Sequence, residues 1–153
     1  IRAIHHEIDL KYVQLHGDED PNYLRQLKDL SLIKAFRCRE NETAEIVDFL
    51  AACTTLDVTL QAILLDAFHP DRYGGSGQRL DWEALKNTTP SFGGYRWVLA
   101  GGLDADNVAS AITLACPTAV DVASGVESSS GQKDVELVQR FVRSASAAFD
   151  SLA

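Results

Sequence analysis

Two hydrophobic rhythms alternate along the chain. Short, mostly apolar runs predict five strands at Tyr12–Leu15, Leu32–Phe36, Ala62–Leu65, Trp97–Ala100 and Ala119–Ala123. Between them apolar residues return at helical spacing. The chain opens in such a pattern, Ile1 to Ile8. Pro21 suits the first turn of a helix running to about Leu27. Thr43 to Cys53 carries the stripe Ala44, Ile46, Val47, Leu50 and Ala51. Asp81-Trp82-Glu83 reads as a cap and first turn. Further helices are predicted from about Ala105 to Leu114 and from Lys133 to about Phe149. A long loop, Ala67 to Arg79, holds His69-Pro70 and Gly74-Gly75-Ser76-Gly77. Nothing resembles a linker or low-complexity tract, so residues 1–153 read as a single domain.

Strands alternating with helices imply a parallel sheet covered by helices. Such a sheet is either open and doubly wound or part of a barrel. Polar and glycine residues mark the C-terminal end of every predicted strand: Gln14 and His16, Arg37, Asp66, Gly101-Gly102, and Ser124-Gly125. An open sheet concentrates its ligand contacts at one crevice. A barrel gathers all strand ends on one face. The expected fold is therefore α/β, an incomplete (β/α)8 TIM barrel of about five β/α units.

Composition narrows the partners. Fourteen basic against 22 acidic residues leave a net charge of −8, which disfavours nucleic acid and anionic membranes as partners. No apolar run approaches the ~18 residues of a membrane span, and no signal peptide is visible. Three scattered cysteines, Cys38, Cys53 and Cys116, form neither a zinc framework nor a disulfide scaffold, which fits a reducing cytoplasm. The sequence contains no methionine and opens inside an uncapped helical pattern, so a preceding segment is expected.

The chemistry concentrates at strand ends. Ala100-Gly101-Gly102-Leu103 and Ala123-Ser124-Gly125-Val126 are glycine-bearing turns leading toward helices, where backbone N–H groups receive a phosphate. Asp66 emerges from an apolar strand, and apolar surroundings let a carboxyl hold a proton for transfer to a substrate oxygen. Asp66 could equally cap the next loop or bind Mg²⁺. The Gly74–Gln78 stretch reads as a flap or a plain turn. His16 is either a substrate contact or a structural histidine, and Arg37 meets an anion or a surface carboxylate. His5, His6 and His69 suit solvated or loop roles. Cys53 and Cys116 suit packing, while Cys38, just past a strand end, leaves a nucleophile or base role open.

At these residues the chain resembles phosphoribosylanthranilate isomerase, a β/α barrel of tryptophan biosynthesis. The matching segments are Tyr12-Val13-Gln14-Leu15-His16-Gly17, Ile33-Lys34-Ala35-Phe36-Arg37, Leu64-Leu65-Asp66-Ala67, Gly74-Gly75-Ser76-Gly77-Gln78 with Asp81-Trp82, Leu99-Ala100-Gly101-Gly102-Leu103 with Asn107-Val108, and Asp121 to Glu127 with Gly131, Lys133 and Asp134. The ordered set is specific where each piece alone is weak. The resemblance implies an Amadori rearrangement of N-(5′-phosphoribosyl)anthranilate to 1-(o-carboxyphenylamino)-1-deoxyribulose 5-phosphate, without cofactor or metal. It implies Asp66 as the general acid, with phosphate held by Gly101, Gly102, Ser124 and Gly125 and by the flap residues Gly75, Ser76 and Gly77. Gln14, His16 and Asp121 would line the pocket.

One departure stands out. The family's general base is a cysteine in a Lys-x-Cys-Gly motif, and no such motif occurs here. The segments present look like the end of the third helix followed by β/α units four to eight. The expected partners are a phosphorylated small molecule and, for assembly, a monomer or homodimer, with fusion to another tryptophan-pathway enzyme open. Another phosphosugar isomerase or epimerase barrel, or a non-catalytic phosphate-binding partial barrel, are the competing readings.

Overall fold

A computed structural model describes residues 1–38, 43–67, 82–88 and 92–152 of the chain. In chain order its elements are α1 (Arg2–Ile8), β1 (Val13–Leu15), α2 (Pro21–Arg25), β2 (Leu32–Cys38), α3 (Thr43–Thr55), β3 (Leu60–Ala67), α4 (Trp82–Thr88), β4 (Trp97–Ala100), α5 (Val108–Ala115) and β5 (Ala119–Val120). A 3-10 turn (Ser124–Val126), a hairpin of β6 (Glu127–Ser129) and β7 (Gln132–Lys133), and α6 (Val135–Asp150) complete it.

The first five strands form one parallel sheet in the order β1-β2-β3-β4-β5. Doubly wound sheets reverse their strand order at a switch point. Here the order follows the chain, and right-handed crossovers then put every helix on the same face. The core agrees. Leu32, Ile63, Leu65 and Leu99 pack with Ile46 and Leu50 of α3, Val108 and Ile112 of α5, and Phe141 of α6. Ala35, Leu64 and Ala100, with Ile33 and Val98 against them, form a separate cluster on the opposite face. This is the winding of a barrel segment, with helices outside and a small-residue face inside.

Local chemistry sets the element ends. The Asp20 carboxylate accepts the Tyr23 N–H ahead of Pro21, and Asp134 accepts the N–H groups of Glu136 and Leu137. That cap moves the start of α6 to Val135, two residues past the expected Lys133. Cys116 takes the left-handed conformation that closes α5, its N–H donating to the Ile112 carbonyl. It is a helix terminator, not the core residue expected.

Three strands differ from expectation. β2 and β3 run on to Cys38 and Ala67 because each satisfies the other's backbone through paired Arg37–Asp66 and Cys38–Ala67. Asp66 and Arg37 thus lie inside strands. Cys38 is buried on the helix-covered face, not past a strand end, which removes it from the open face and from a nucleophile or base role there. β5 stops at Val120, where its pairing with β4 ends. The β6–β7 hairpin was not expected, since Glu127–Lys133 carries no alternating apolar residue; Gly131 at φ 78 and a Lys133–Glu127 ion pair of 2.7 Å make it.

Both flanks of the sheet present apolar side chains to solvent. α1 buries none of its residues and exposes Ile4 and Ile8, while α6 exposes Val135, Val138 and Val142.

Candidate active site

Parallel register determines which side chains meet. Arg37, Asp66 and Ala100 are neighbours across β2, β3 and β4. Leu99 pairs with Val120, so Asp121 continues the row beyond Ala100. Side chains alternate along a strand. Phe36, Leu65, Leu99 and Val120 turn toward the helices, and this row therefore turns to the inner face. Below it lie the apolar Ala35 and Leu64. Gln14, paired with Ile33, and His16 share the same face from β1.

His16 and Asp66 come together, with Nε2 3.5 Å from Oδ2. Their side chains are 47% and 32% exposed. Asp66 is partly buried on the inner face, not under the helices, and among the described residues Ala35 and Leu64 are the apolar neighbours below it. Arg37 is exposed and borders a cleft of about 380 Å³ that His16 also lines. Asp121 is exposed at the end of β5, its N–H donating to the Leu99 carbonyl.

The two glycine turns lie next to this row and against each other. Gly101 (φ 84) and Gly102 (φ 64) follow Ala100 directly, in the left-handed region that favours glycine. Asn107 clamps their loop. Its Nδ2 donates to the Gly102 carbonyl at 2.9 Å, and its Oδ1 accepts the Asp104 N–H at 3.0 Å. The Asp104 carboxylate accepts the N–H groups of Asp106 and Asn107. From the other side, a Cβ on Gly125 would lie 1.8 Å from the Leu103 carbonyl oxygen. The Ser124–Val126 turn is thus in backbone contact with the β4 loop. Lys133 supports it, with Nζ donating to the Ala123 carbonyl at 2.7 Å.

Three residues escaped the sequence reading in these roles. Asn107 and Lys133 hold loops, and Lys34 is buried beneath the loop that follows β1. The Asp104-x-Asp106-Asn107 spacing carries a turn-forming signal that could have flagged the first. The flap residues Gly75, Ser76 and Gly77, with His69 and Asp81, lie outside the described residues. His5 and His6 stand on α1, away from the row.

Charge around the β1 loop is locally balanced. Burial pushes the Glu19 carboxyl up, but the hydrogen bond from Lys34 and those from nearby backbone N–H groups outweigh it and hold Glu19 below the usual glutamate range. Burial pushes the Cys53 thiol up. Among the described residues no cluster of three or more His, Cys, Asp or Glu is placed to hold a metal ion, and no helix is long and apolar enough to cross a membrane. The arrangement suits a small anionic ligand: a carboxylate–imidazole pair for proton transfer, an arginine, and two interlocked loops of backbone amides.

Known proteins match this chain along most of its length. The family model described as "PRAI: N-(5'phosphoribosyl)anthranilate (PRA) isomerase" matches residues 1–144. N-(5'-phosphoribosyl)anthranilate isomerase of Acaryochloris marina is 45% identical over 132 residues, covering 84% of this chain and 57% of its own length. The Neisseria gonorrhoeae protein of the same name is 43% identical over 145 residues, 95% of this chain and 64% of its own. Among solved structures, phosphoribosyl anthranilate isomerase from Thermotoga maritima superposes with a TM-score of 0.80 at 34% identity, covering 96% of this chain and 67% of that one. A phosphoribosyl anthranilate isomerase in complex with reduced 1-(o-carboxyphenylamino)-1-deoxyribulose 5-phosphate gives 0.76 at 30%, covering 96% and 65%. The chain spans less than two thirds of the length of these curated relatives.

Proposed function

The chain belongs to the phosphoribosylanthranilate isomerase family, and from that premise we propose that it carries the acid and the phosphate grip of such an isomerase in tryptophan biosynthesis. The observation that carries this reading is the row Arg37–Asp66–Ala100, with His16 3.5 Å from Asp66 and the Gly101-Gly102 loop directly beyond. In this reading the substrate is N-(5′-phosphoribosyl)anthranilate. Its phosphate rests on the backbone amides of Gly101, Gly102, Ser124 and Gly125; the resemblance adds Gly75, Ser76 and Gly77, which lie outside the described residues. A chain of net charge −8 attracts a phosphate through local dipoles, not through its overall field.

Asp66 gives its proton to the ribose ring oxygen as the C1′–O bond breaks, and the nitrogen lone pair forms the C1′=N bond of a Schiff base. Loss of the C2′ proton yields an enolamine, which tautomerises to the ketone. C1′ is reduced while C2′ is oxidised, so electrons balance within the substrate and no redox cofactor is needed. Gln14, His16, Arg37 and Asp121 orient the substrate on the inner face. The family's base is a cysteine in a Lys-x-Cys-Gly motif, which this sequence lacks, and in this reading none of Cys38 and Cys53, buried among helix-facing residues, or Cys116, which ends α5, takes that part. The exposed apolar residues of α1 and α6 suit further β/α units completing the barrel. The same reading takes residues 1–153 as one domain of a cytoplasmic enzyme, monomeric or dimeric.

Asp66→Asn in the protein tests it. Turnover should fall by roughly 10²-fold or more, the scale of a lost general acid, while binding of a reduced product analogue stays within about threefold. Near-normal kcat in that variant refutes the assignment.

A further inference from the structure

Among the described residues, Lys34 is the charged side chain that the fold buries, at 3% exposure. It stands in β2 in a row with Leu15, Ile63 and Trp97, all buried on the helix-covered face. An aliphatic side chain would fill that position with no desolvation cost, whereas an ammonium needs partners there. Among the described residues its hydrogen-bond partners lie in the loop after β1. Lys34 Nζ donates to the Gly17 carbonyl at 2.6 Å and to Glu19 Oε2 at 2.9 Å, and the same Glu19 oxygen accepts the Gly17 N–H at 3.0 Å. The ammonium also faces an aromatic ring: Nζ lies 5.6 Å from the centre of the Phe36 ring, and Phe36 meets Phe49 edge-on at 5.1 Å. At its far end the loop is secured by Asp20, which caps α2.

The residue immediately before this tether is His16, which leaves β1 toward the inner face and reaches Asp66. The tether and the contact are on opposite faces of the sheet, joined by one peptide. At 3.5 Å the His16–Asp66 contact is long, and a loop shift of about 1 Å would end it. We propose that Lys34 is a positioning residue: through Gly17 and Glu19 it holds the His16 imidazole against the Asp66 carboxyl, and so sets the orientation of the acid. This rests on the reading of Asp66 as the acid toward a phosphoribosyl amine. It also accounts for a buried charge that packing alone does not require.

The test is Lys34→Met, which keeps the volume and removes the donor. First, the His16 ring resonances are followed by NMR in four proteins: unsubstituted, D66N, K34M and the K34M/D66N double variant. D66N should move the His16 signals when Lys34 is present and leave them nearly unmoved when it is methionine. Second, kcat should fall about tenfold in K34M with KM within about twofold, yet K34M should change kcat by less than twofold in a His16→Asn background. Where K34M does not fold, Glu19→Gln, on a more exposed partner, carries the same two measurements. A His16 signal that responds to D66N equally with and without Lys34 overturns the proposal, as does an equal loss of kcat in both His16 backgrounds. If the NMR coupling depends on Lys34 but the protein binds neither ribose 5-phosphate nor a reduced product analogue, the positioning role stands and the functional reading falls.

Discussion

The contact between the two glycine turns makes a quantitative test, because one hydrogen atom separates it from a clash. Gly125→Ala would put a Cβ 1.8 Å from the Leu103 oxygen, 2.9 Å from its carbonyl carbon and 3.1 Å from the Asp104 Cα. All three are backbone atoms, so no side chain can rotate away, and relief requires the two loops to part by about 1 Å or more. Neither yields easily. Leu103 is buried and its loop is clamped by Asn107, while Val126 is buried and its carbonyl accepts the Asp134 N–H. Overpacking of this kind costs about 1–3 kcal/mol. A displacement of about 1 Å also breaks backbone hydrogen bonds to a phosphate, each worth about 1.5–3 kcal/mol. Gly131→Ala is the matched control. Gly131 also has a positive φ, 78°, but a Cβ there meets nothing within 4 Å, and it sits in the β6–β7 turn. The left-handed strain costs about 1–2 kcal/mol without touching the β4 loop. Urea unfolding and calorimetric titration with ribose 5-phosphate separate the two. Both variants should lose stability, and only G125A should lose affinity, by roughly 10- to 100-fold, the scale of one lost hydrogen bond to a charged group. Wild-type affinity in G125A, or an equal loss in G131A, would refute the interlocked grip.

Two further outcomes follow from the same geometry. Asn107→Leu removes the donor to Gly102 and the acceptor for Asp104; phosphate-ester affinity should drop about tenfold or more while the circular-dichroism spectrum is retained, and unchanged affinity would exclude the clamp. Glu19 is held below its usual range by Lys34 when folded, so its pairing stabilises the fold above the unfolded glutamate value and is lost as pH falls through the lower folded value. Asp29, held near about 2 by the Arg2 guanidinium, acts in the same sense between the usual aspartate range and that value. The urea midpoint should therefore decline as pH drops below about 4.5, and Glu19→Gln should flatten part of that decline; an identical slope in E19Q would show that the Lys34 pair contributes none of it.

How far the sequence could be read depends on the range of each interaction. Ala62-Ile63-Leu64-Leu65 and Trp97-Val98-Leu99-Ala100 announce buried strands because burial on both faces demands continuous apolar runs. Asp66 and the Gly101-Gly102 pair stood out because each follows such a run. Lys34 did not, since a lysine in a strand reads as a solvated residue until the loop above it is in place. The hairpin from Glu127 to Lys133 was invisible for a related reason: it is built by one glycine and one ion pair, with no hydrophobic pattern.

The sequence by itself determined the alternation of strands and helices, the Gly101-Gly102 pair directly after a strand and Asp66 near the C-terminal part of one, and, through its ordered motifs, the family resemblance. These are properties of periodicity and of residues near one another in the chain. Only the tertiary structure decided the winding, because the strand order β1-β2-β3-β4-β5 rests on pairings between distant residues. It alone put Arg37 beside Asp66, His16 within 3.5 Å of that carboxylate, and Gly125 against Leu103. Register and close packing act between segments twenty or more residues apart, where side-chain volume and hydrogen-bond direction, not local pattern, choose the partner.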